Sequence, residues 1–453
     1  MPLDDYVKPN DVTIVDIVIR SKLGGPRPAE FSLFHSALFD QVHIYEDLFA
    51  PCLKGELFIL DGANFIGHFP IIGQEEIEIT FKTPAVTDKY IKHKFDVYKT
   101  SPRLNNQEGP QYEGYTLYFA SPELLHDSHI KCSKSFNGTP SAIVSTIMKE
   151  YFPSSLINIE DSRNFMRFIP PYWSPFKCIN WLSRRTMTLE ESKREANFVL
   201  FQNLSTDNGV FNYVSLSTLA QGESLEDYIV SVGDRQDIGS GKNLAMTIPD
   251  VIEYSNEKYV DKLENVQTGM LASTLLTHDI TFKKFDTTTY SYNLDFINAN
   301  HLDEYPLMPP RNDVLSTHSD SMIHFKPKQN HLYIIRDSEG NIISEPEEDN
   351  FFQEDWLLHR KSLMEQMSLQ KHKIRVAGDT RRKVGDVVTL SIPTSEIHDD
   401  RIESAIDTNI SGRFLVTSIK HIINRVGPTH EMVLELSRDS LSKPIPDEST
   451  FIT

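Results

Sequence analysis

The stretch from residue 374 to residue 441 leaves the chain few options, because it reads as one antiparallel β meander. Ile374 and Val376 lead into the turn Gly378-Asp379, and the run Val384 to Ile392 is stopped by Pro393. After a loop, Ser411 to Ile423 form a long β run, Val426-Gly427-Pro428 turns it, and Met432 to Ser437 run back. Four β runs with short turns make a small barrel or half of one.

The N-terminal part repeats this phrasing. Ile77 to Pro84 matches Val387 to Pro393, again a β run closed by proline. Phe95 to Lys99 stands where Phe414 to Ser418 stands, and Tyr115 to Ser121 where Met432 to Arg438 stands. The steps are close, 117 − 95 = 22 residues from Phe95 to Leu117 and 434 − 414 = 20 from Phe414 to Leu434. Two readings stay open: any two hairpins look alike, or the chain holds an internally duplicated barrel, which would let three chains build a ring of six similar units.

With 453 residues the chain is long enough for about three domains. Its 45 basic and 64 acidic residues leave a net charge of −19, which argues against a face built to grip nucleic-acid phosphates. Three widely spaced cysteines, Cys52, Cys132 and Cys178, point to a reducing compartment and not to a disulfide or zinc framework. The opening residues lack a basic and apolar leader pattern, and no apolar run nears the ~20 residues that span a bilayer. The expectation is a protein made soluble in the cytosol.

The first unit, residues 1–121, is essentially all β, beginning with Asp11 to Arg20. The texture then changes. Thr139-Pro140 and Ser174-Pro175 open helices, the first with Ile143, Val144, Ile147 and Met148 at helical spacing, and the run Phe198 to Phe201 returns through Asn208-Gly209 to Phe211 and Tyr213 as a hairpin. Residues 122–245 therefore read as an inserted α/β domain. Residues 246–300 and 365–442 supply the second β unit, 301–364 form a loop-rich excursion with the acidic run Glu345 to Asp349 and the start of a helix, and 443–453 form a tail. The fold class expected is β-rich α+β.

The sequence carries no strong catalytic or metal-binding motif. Gly239-Ser240-Gly241-Lys242 has Gln236 where a phosphate loop needs glycine and Asn243 where it needs a hydroxyl, so it reads as a turn. His398-Asp399-Asp400 and His430-Glu431 are weak metal candidates. The second pair opens a strand, where neighbouring side chains diverge to opposite faces. No catalytic, cofactor or metal residue is assigned.

The chain resembles the baseplate hub protein of contractile phage tails, of the T-even type, which is related to the hub part of type VI secretion spike proteins. The likeness rests on Gly55 to Gly62 leading to Phe69 to Ile77, on Trp181 to Arg185 with Ala196 to Phe201 and Gly209 to Phe211, and on Gly378-Asp379, Val384 to Val388, Ser411 to Ile419 and His430 to Glu435. The resemblance implies a homotrimer in which two similar antiparallel barrels per chain alternate, 3 × 2 = 6, giving a pseudo-sixfold ring. Such a ring adapts the sixfold tail tube, or a tube-initiator protein, to the threefold central spike, with the tape-measure protein as a further partner and DNA only in passage. Its place is the tail baseplate of the virion, after assembly in the host cytoplasm.

On that reading the ring is shaped by Ile14, Val15, Ile17 and Ile19, by Phe95, Val97 and Tyr98, and by Phe414, Val416 and Ile419, unless these strands are interior to one barrel. The three copies of one trimer carry 3 × −19 = −57 charges, which either line the channel and repel passing phosphates or sit outside and aid solubility. The competing readings are a tail-associated cell-wall or capsule hydrolase, and a carbohydrate-binding surface protein using aromatics such as Tyr172-Trp173.

Overall fold

The computed structural model describes residues 8–22, 30–69, 71–105, 113–190, 192–193, 195–204, 208–230, 248–280, 283–308, 321–328, 339, 353–394 and 406–445. The turn at 239–242, the His398-Asp399-Asp400 group and the acidic run 345–349 lie outside these residues.

The first half of the chain supplies β1 (Thr13–Ser21), β2 (Glu30–Ser32), β3 (Phe39–Asp47), β4 (Lys54–Asp61), β5 (Glu75–Lys82), β6 (Ile91–Thr100), β7 (Leu104–Asn105) and β8 (Glu113–Ala120). Alternation makes these strands half-buried: in β6, Ile91, His93, Phe95 and Val97 face the core. In β1 the period slips once, at a bulge between Ile14 and Asp16, and Ile14, Ile17 and Ile19 all reach the interior. Their core also holds Leu57, Phe81, Leu117 and Phe119.

The inserted unit carries α1 (Pro140–Tyr151), β9 (Leu156–Ile159), α2 (Pro175–Ser183), β10 (Phe198–Asn203) and β11 (Val210–Ser215). Thr139 caps α1, its hydroxyl accepting from the Ala142 amide at 3.4 Å, with Pro140 in the first turn. Asn208 and Gly209 both take positive φ, 50° and 74°, in the connection between β10 and β11, whose ladder closes with Asn203 opposite Val210. Ile143, Ile147, Phe176, Ile179, Phe198 and Phe211 share one core.

Among the later elements are β12 (Ser224–Ile229), β13 (Val251–Tyr259), β14 (Ala272–Asp279), β15 (Lys284–Ser291), β16 (Ile323–Pro327), α3 (Gln353–Gln366), β17 (Gln370–Ala377), β18 (Val387–Ser391), β19 (Gly412–Asn424) and β20 (Thr429–Arg438). Strands β14, β15 and β16 form a separate three-stranded sheet. Strand β12, from within the range assigned to the insertion, joins β18 instead.

The sequence predicts two separate barrels, and here the structure differs. The described strands form one continuous fourteen-stranded sheet along the path β13-β17-β20-β19-β3-β4-β8-β6-β5-β1-β2, with β7, β12 and β18 attached to its side, and no closed barrel is found among the described residues. The cause is the length of β19. Its thirteen residues pair β18 through Gly412 to Leu415 and β3 through Ser418 to Asn424, so one strand serves both halves of the chain.

The internal echo has a structural counterpart. The order β3-β4-β8-β6-β5-β1 in the first half is matched strand for strand, in the same chain order, by β13-β17-β20-β19-β18-β12 in the second. Registers agree as well: Val97 faces Phe119 and Lys99 faces Tyr118 across a bulge at Tyr98, while Val416 faces Leu436 and Ser418 faces Glu435 across a bulge at Thr417. A second pair of bulges, at Asp40 in β3 and Ile252 in β13, also coincides. A bulge bends a strand and sharpens its twist, so matching bulges give the two halves matching curvature.

Candidate assembly interface

The internal joint between the halves is the ladder of β19 with β3, seven pairs from Ser418 opposite Asp47 to Asn424 opposite Gln41. Beyond its end, Arg425 donates from Nε to the Phe39 carbonyl at 2.6 Å. The segment before β1 also reaches the start of β20, where the His430 amide donates to the Asn10 carbonyl at 2.8 Å.

Beneath this ladder runs a buried polar chain drawn from four places in the sequence. Thr83 Oγ1 lies 2.9 Å from His430 Nδ1, His430 Nε2 lies 3.1 Å from His421 Nδ1, and His421 Nε2 lies 3.2 Å from Glu46 Oε1. All four residues are at most 1 % exposed. Two proton orders satisfy every contact: Thr83 donates to His430, His430 to His421 and His421 to the carboxylate, or a protonated His421 donates to both the carboxylate and His430, and His430 to Thr83. Burial, with His421 adding to it, holds His430 well below the ordinary imidazole range, which agrees with its neutral place in both orders. The ring has room because residue 378 is glycine, where a Cβ would sit 2.1 Å from His430 Cγ. Glu431 points the other way and pairs with Arg375 at 2.5 Å, so the His430-Glu431 pair diverges as expected of strand neighbours.

Each half owns the two edges that make this joint, but only one of each is used internally. The outer edge of β3 carries β19; the equivalent edge of β13 carries no strand among the described residues. The part of β19 beyond its bulge carries β3; the equivalent part of β6, from Lys99 onward, pairs only with β8. Strand β13 is nine residues long and mostly exposed, and a bare edge of that length is a template for another strand. Its Glu253 and Glu257 are exposed acids, whereas the β6 margin offers the bases Lys99 and Arg103.

Of the ten residues assigned to the ring from sequence, eight are side chains of the two cores. Ile14, Ile17, Ile19, Phe95 and Val97 lie in the first, and Phe414, Val416 and Ile419 in the second. Val15 and Tyr98 are exposed, at 43 % and 44 %, the latter at the β6 bulge. What the spacing cannot reveal is an edge, since alternation reports the two faces of a strand and is silent about its flanks. No cluster of three or more metal-binding side chains occurs among the described residues.

No family model matches the sequence, and no curated protein matches it. Solved structures do. A 43 kDa tail protein of prophage MuSo2 from Shewanella oneidensis aligns over 94 % of this chain and 98 % of its own, with a TM-score of 0.50 and 10 % identity. A tail protein from Neisseria meningitidis aligns over 94 % and 96 %, with a TM-score of 0.47 and 10 % identity. The E. coli c3393 protein, a component of the type VI secretion system, aligns over 96 % and 79 %, with a TM-score of 0.40 and 10 % identity. At such identity the likeness is one of fold, and this chain shares its fold with the Shewanella protein.

Proposed function

We propose that the chain is a structural tail component, the baseplate hub that joins the sixfold tail tube to the threefold spike as a homotrimeric ring. The observation that supports this most directly is the repeated strand order with one joint made and one left open. If the bare edge of β13 in one copy pairs with the β6 margin of the next as β3 pairs with β19 inside the chain, three copies close a ring with six equivalent joints, three within chains and three between them. The continuous path from β13 to β6 holds eight strands, so the ring carries 3 × 8 = 24. Each tube subunit then meets a similar surface, although the ring has only threefold symmetry.

The internal joint also supplies the register of the external one. Ile419 faces Glu46 and Lys420 faces Tyr45, and carrying these pairs through the matching ladders sets Thr100 opposite Tyr259 and Ser101 opposite Lys258. The Ser101 amide donates to the Thr116 carbonyl of β8, so its polar groups face inward and the outward pair is of the non-hydrogen-bonded kind, whose Cα atoms lie about 4.5 Å apart and suit a disulfide. The native thiols Cys52, Cys132 and Cys178 are buried and stay out of the reaction.

The test is a chain carrying Ser101→Cys and Lys258→Cys. Sedimentation is expected to give a trimer burying more than about 2,000 Å² per pair, and mild oxidation a covalent trimer on a denaturing gel, with neither single variant going beyond a dimer. A monomer at high concentration, alone and with the spike protein, overturns the ring; a trimer that does not cross-link overturns the register alone. Lysis of cell-wall material by the purified chain in a zymogram overturns the structural assignment.

A further inference from the structure

The chain has three tryptophans, and all three line one cleft of about 700 Å³. Trp173 and Trp181 come from in and around α2, while Trp356 arrives from α3, 356 − 181 = 175 residues later. Among the described residues every charged one lining the cleft is basic: Lys177, Arg184 and Arg185, then Lys326 and Arg360. In a chain where acids outnumber bases 64 to 45, that is a local reversal of sign.

The cations are held in place and left unneutralised. Arg185 stacks with its guanidinium 3.8 Å from the Trp181 ring centre and 5.3 Å from that of Trp356, and Lys177 Nζ lies 5.0 Å from that of Trp173. Arg360 uses one terminal nitrogen on the carbonyls of Ser183, Ala196 and Phe198, at 3.1, 2.6 and 3.4 Å. Arg185 uses one on the Trp181 carbonyl at 3.0 Å, and Arg184 donates from Nε to Asn180 at 3.2 Å. Those bonds serve the fold, since they tie down the end of α2. They leave further donors on all three guanidiniums, and none of the five bases forms an ion pair among the described residues. Burial lowers Arg185 to about 10, with Arg184 adding to the effect, and lowers Arg360 to about 10. Bringing unpaired guanidiniums together in a half-buried aromatic wall costs free energy that an incoming carboxylate returns.

We propose that this cleft docks a short acidic segment of a partner protein, its carboxylates on the guanidiniums and an aromatic side chain against the tryptophan wall. A short peptide is favoured over a long polyanion because a chain of net charge −19 repels the remainder of a polymer. The lining comes from α2, α3, β16 and their flanks, with nothing from β6 or β13, so the inference stands apart from the ring.

The arrangement supplies its own probe, since the whole tryptophan emission of the intact chain reports on the cleft. Titration with the synthetic peptide Glu-Glu-Phe-Glu-Glu is expected to give a saturable emission change. Raising salt from about 0.05 to 0.5 M is expected to weaken it at least tenfold, as screening of a partly exposed pair requires. A chain with Lys177→Gln and Arg184→Gln, both exposed positions, is expected to bind at least tenfold more weakly while unfolding at the same denaturant concentration. The proposal is overturned by no saturable change with the acidic peptide, by equal binding of Lys-Lys-Phe-Lys-Lys, or by unchanged affinity in the double variant. Tighter binding of a heparin hexasaccharide than of the peptide also overturns it, and would make the cleft a glycan site.

Discussion

The first and second halves of the sheet are built to the same strand order and differ in what their margins meet. Strand β3 is covered by β19 and its counterpart β13 is bare. The sixth strand differs too, since β1 runs antiparallel to β5 whereas β12 runs parallel to β18. The shared part is the bent ladder with its coincident bulges, and the divergent part is where each half hands over to the rest of the chain. A duplicated fold thus keeps its curvature and alters its connections. At single positions the divergence is also clear: Asp61 opposite Glu113 in the first half stands where Gly378 meets His430 in the second.

The widest test of the likeness is pH, because buried histidines stand in both halves. Burial lowers His93 to about 3 and His43 to about 4 in the first half and His372 to about 4 in the second, where it also holds His430 well below the ordinary imidazole range. Unfolded imidazoles titrate near 6.5. Between those values the unfolded chain binds more protons, so stability is full above about pH 6.5 and drains as pH falls towards 4. By pH 5 each group costs about 2 kcal/mol. Urea unfolding at pH 7 and pH 5 measures it, and equal midpoints would contradict the burial of all four.

A narrower test makes the second half copy the first at one residue. Gly378→Asp places a Cβ 2.1 Å from the His430 ring and 2.7 Å from its Cβ, atoms too near the backbone to swing away. A loss of more than about 3 kcal/mol is expected in urea unfolding at pH 7. A loss below 1 kcal/mol, on the same scale, would mean that the second half can take on the detail of the first.

The smallest effect on the single chain is the one that separates the margins. The Val260 amide donates inward to Leu369, and alternation through the bulge at Glu257 turns the Asn256 amide outward. Asn256→Pro therefore removes a donor that only a neighbouring copy would use, and a stability change within about 1 kcal/mol is expected together with loss of the trimer in sedimentation. Retention of the trimer would place the joint elsewhere.

Much of the sheet is legible from residue order. Phe95 and Phe414 open equivalent bulged segments, Pro84 and Pro393 close equivalent runs, and Thr139-Pro140 starts a helix, because alternation, caps and prolines act locally. The joint is not legible, since Glu46, Thr83, His421 and His430 meet only after folding and leave no spacing to read. The same holds for the cleft, where Trp356 is an ordinary helical aromatic until α3 is laid beside α2. The single continuous sheet escaped prediction because a strand with different partners along one margin looks, in sequence, like any long strand.

The joint between Asp47 and Ser418 spans 418 − 47 = 371 residues. A ribosome adding about 5–20 residues per second needs roughly 20–75 s to cover that distance. For that interval the N-terminal portion exists with β3 uncovered, and any fragment released early keeps an adhesive flank. Only a chain translated through β19 can mask it. A product that stops before β19 keeps that flank open to pairing with whatever strand it meets.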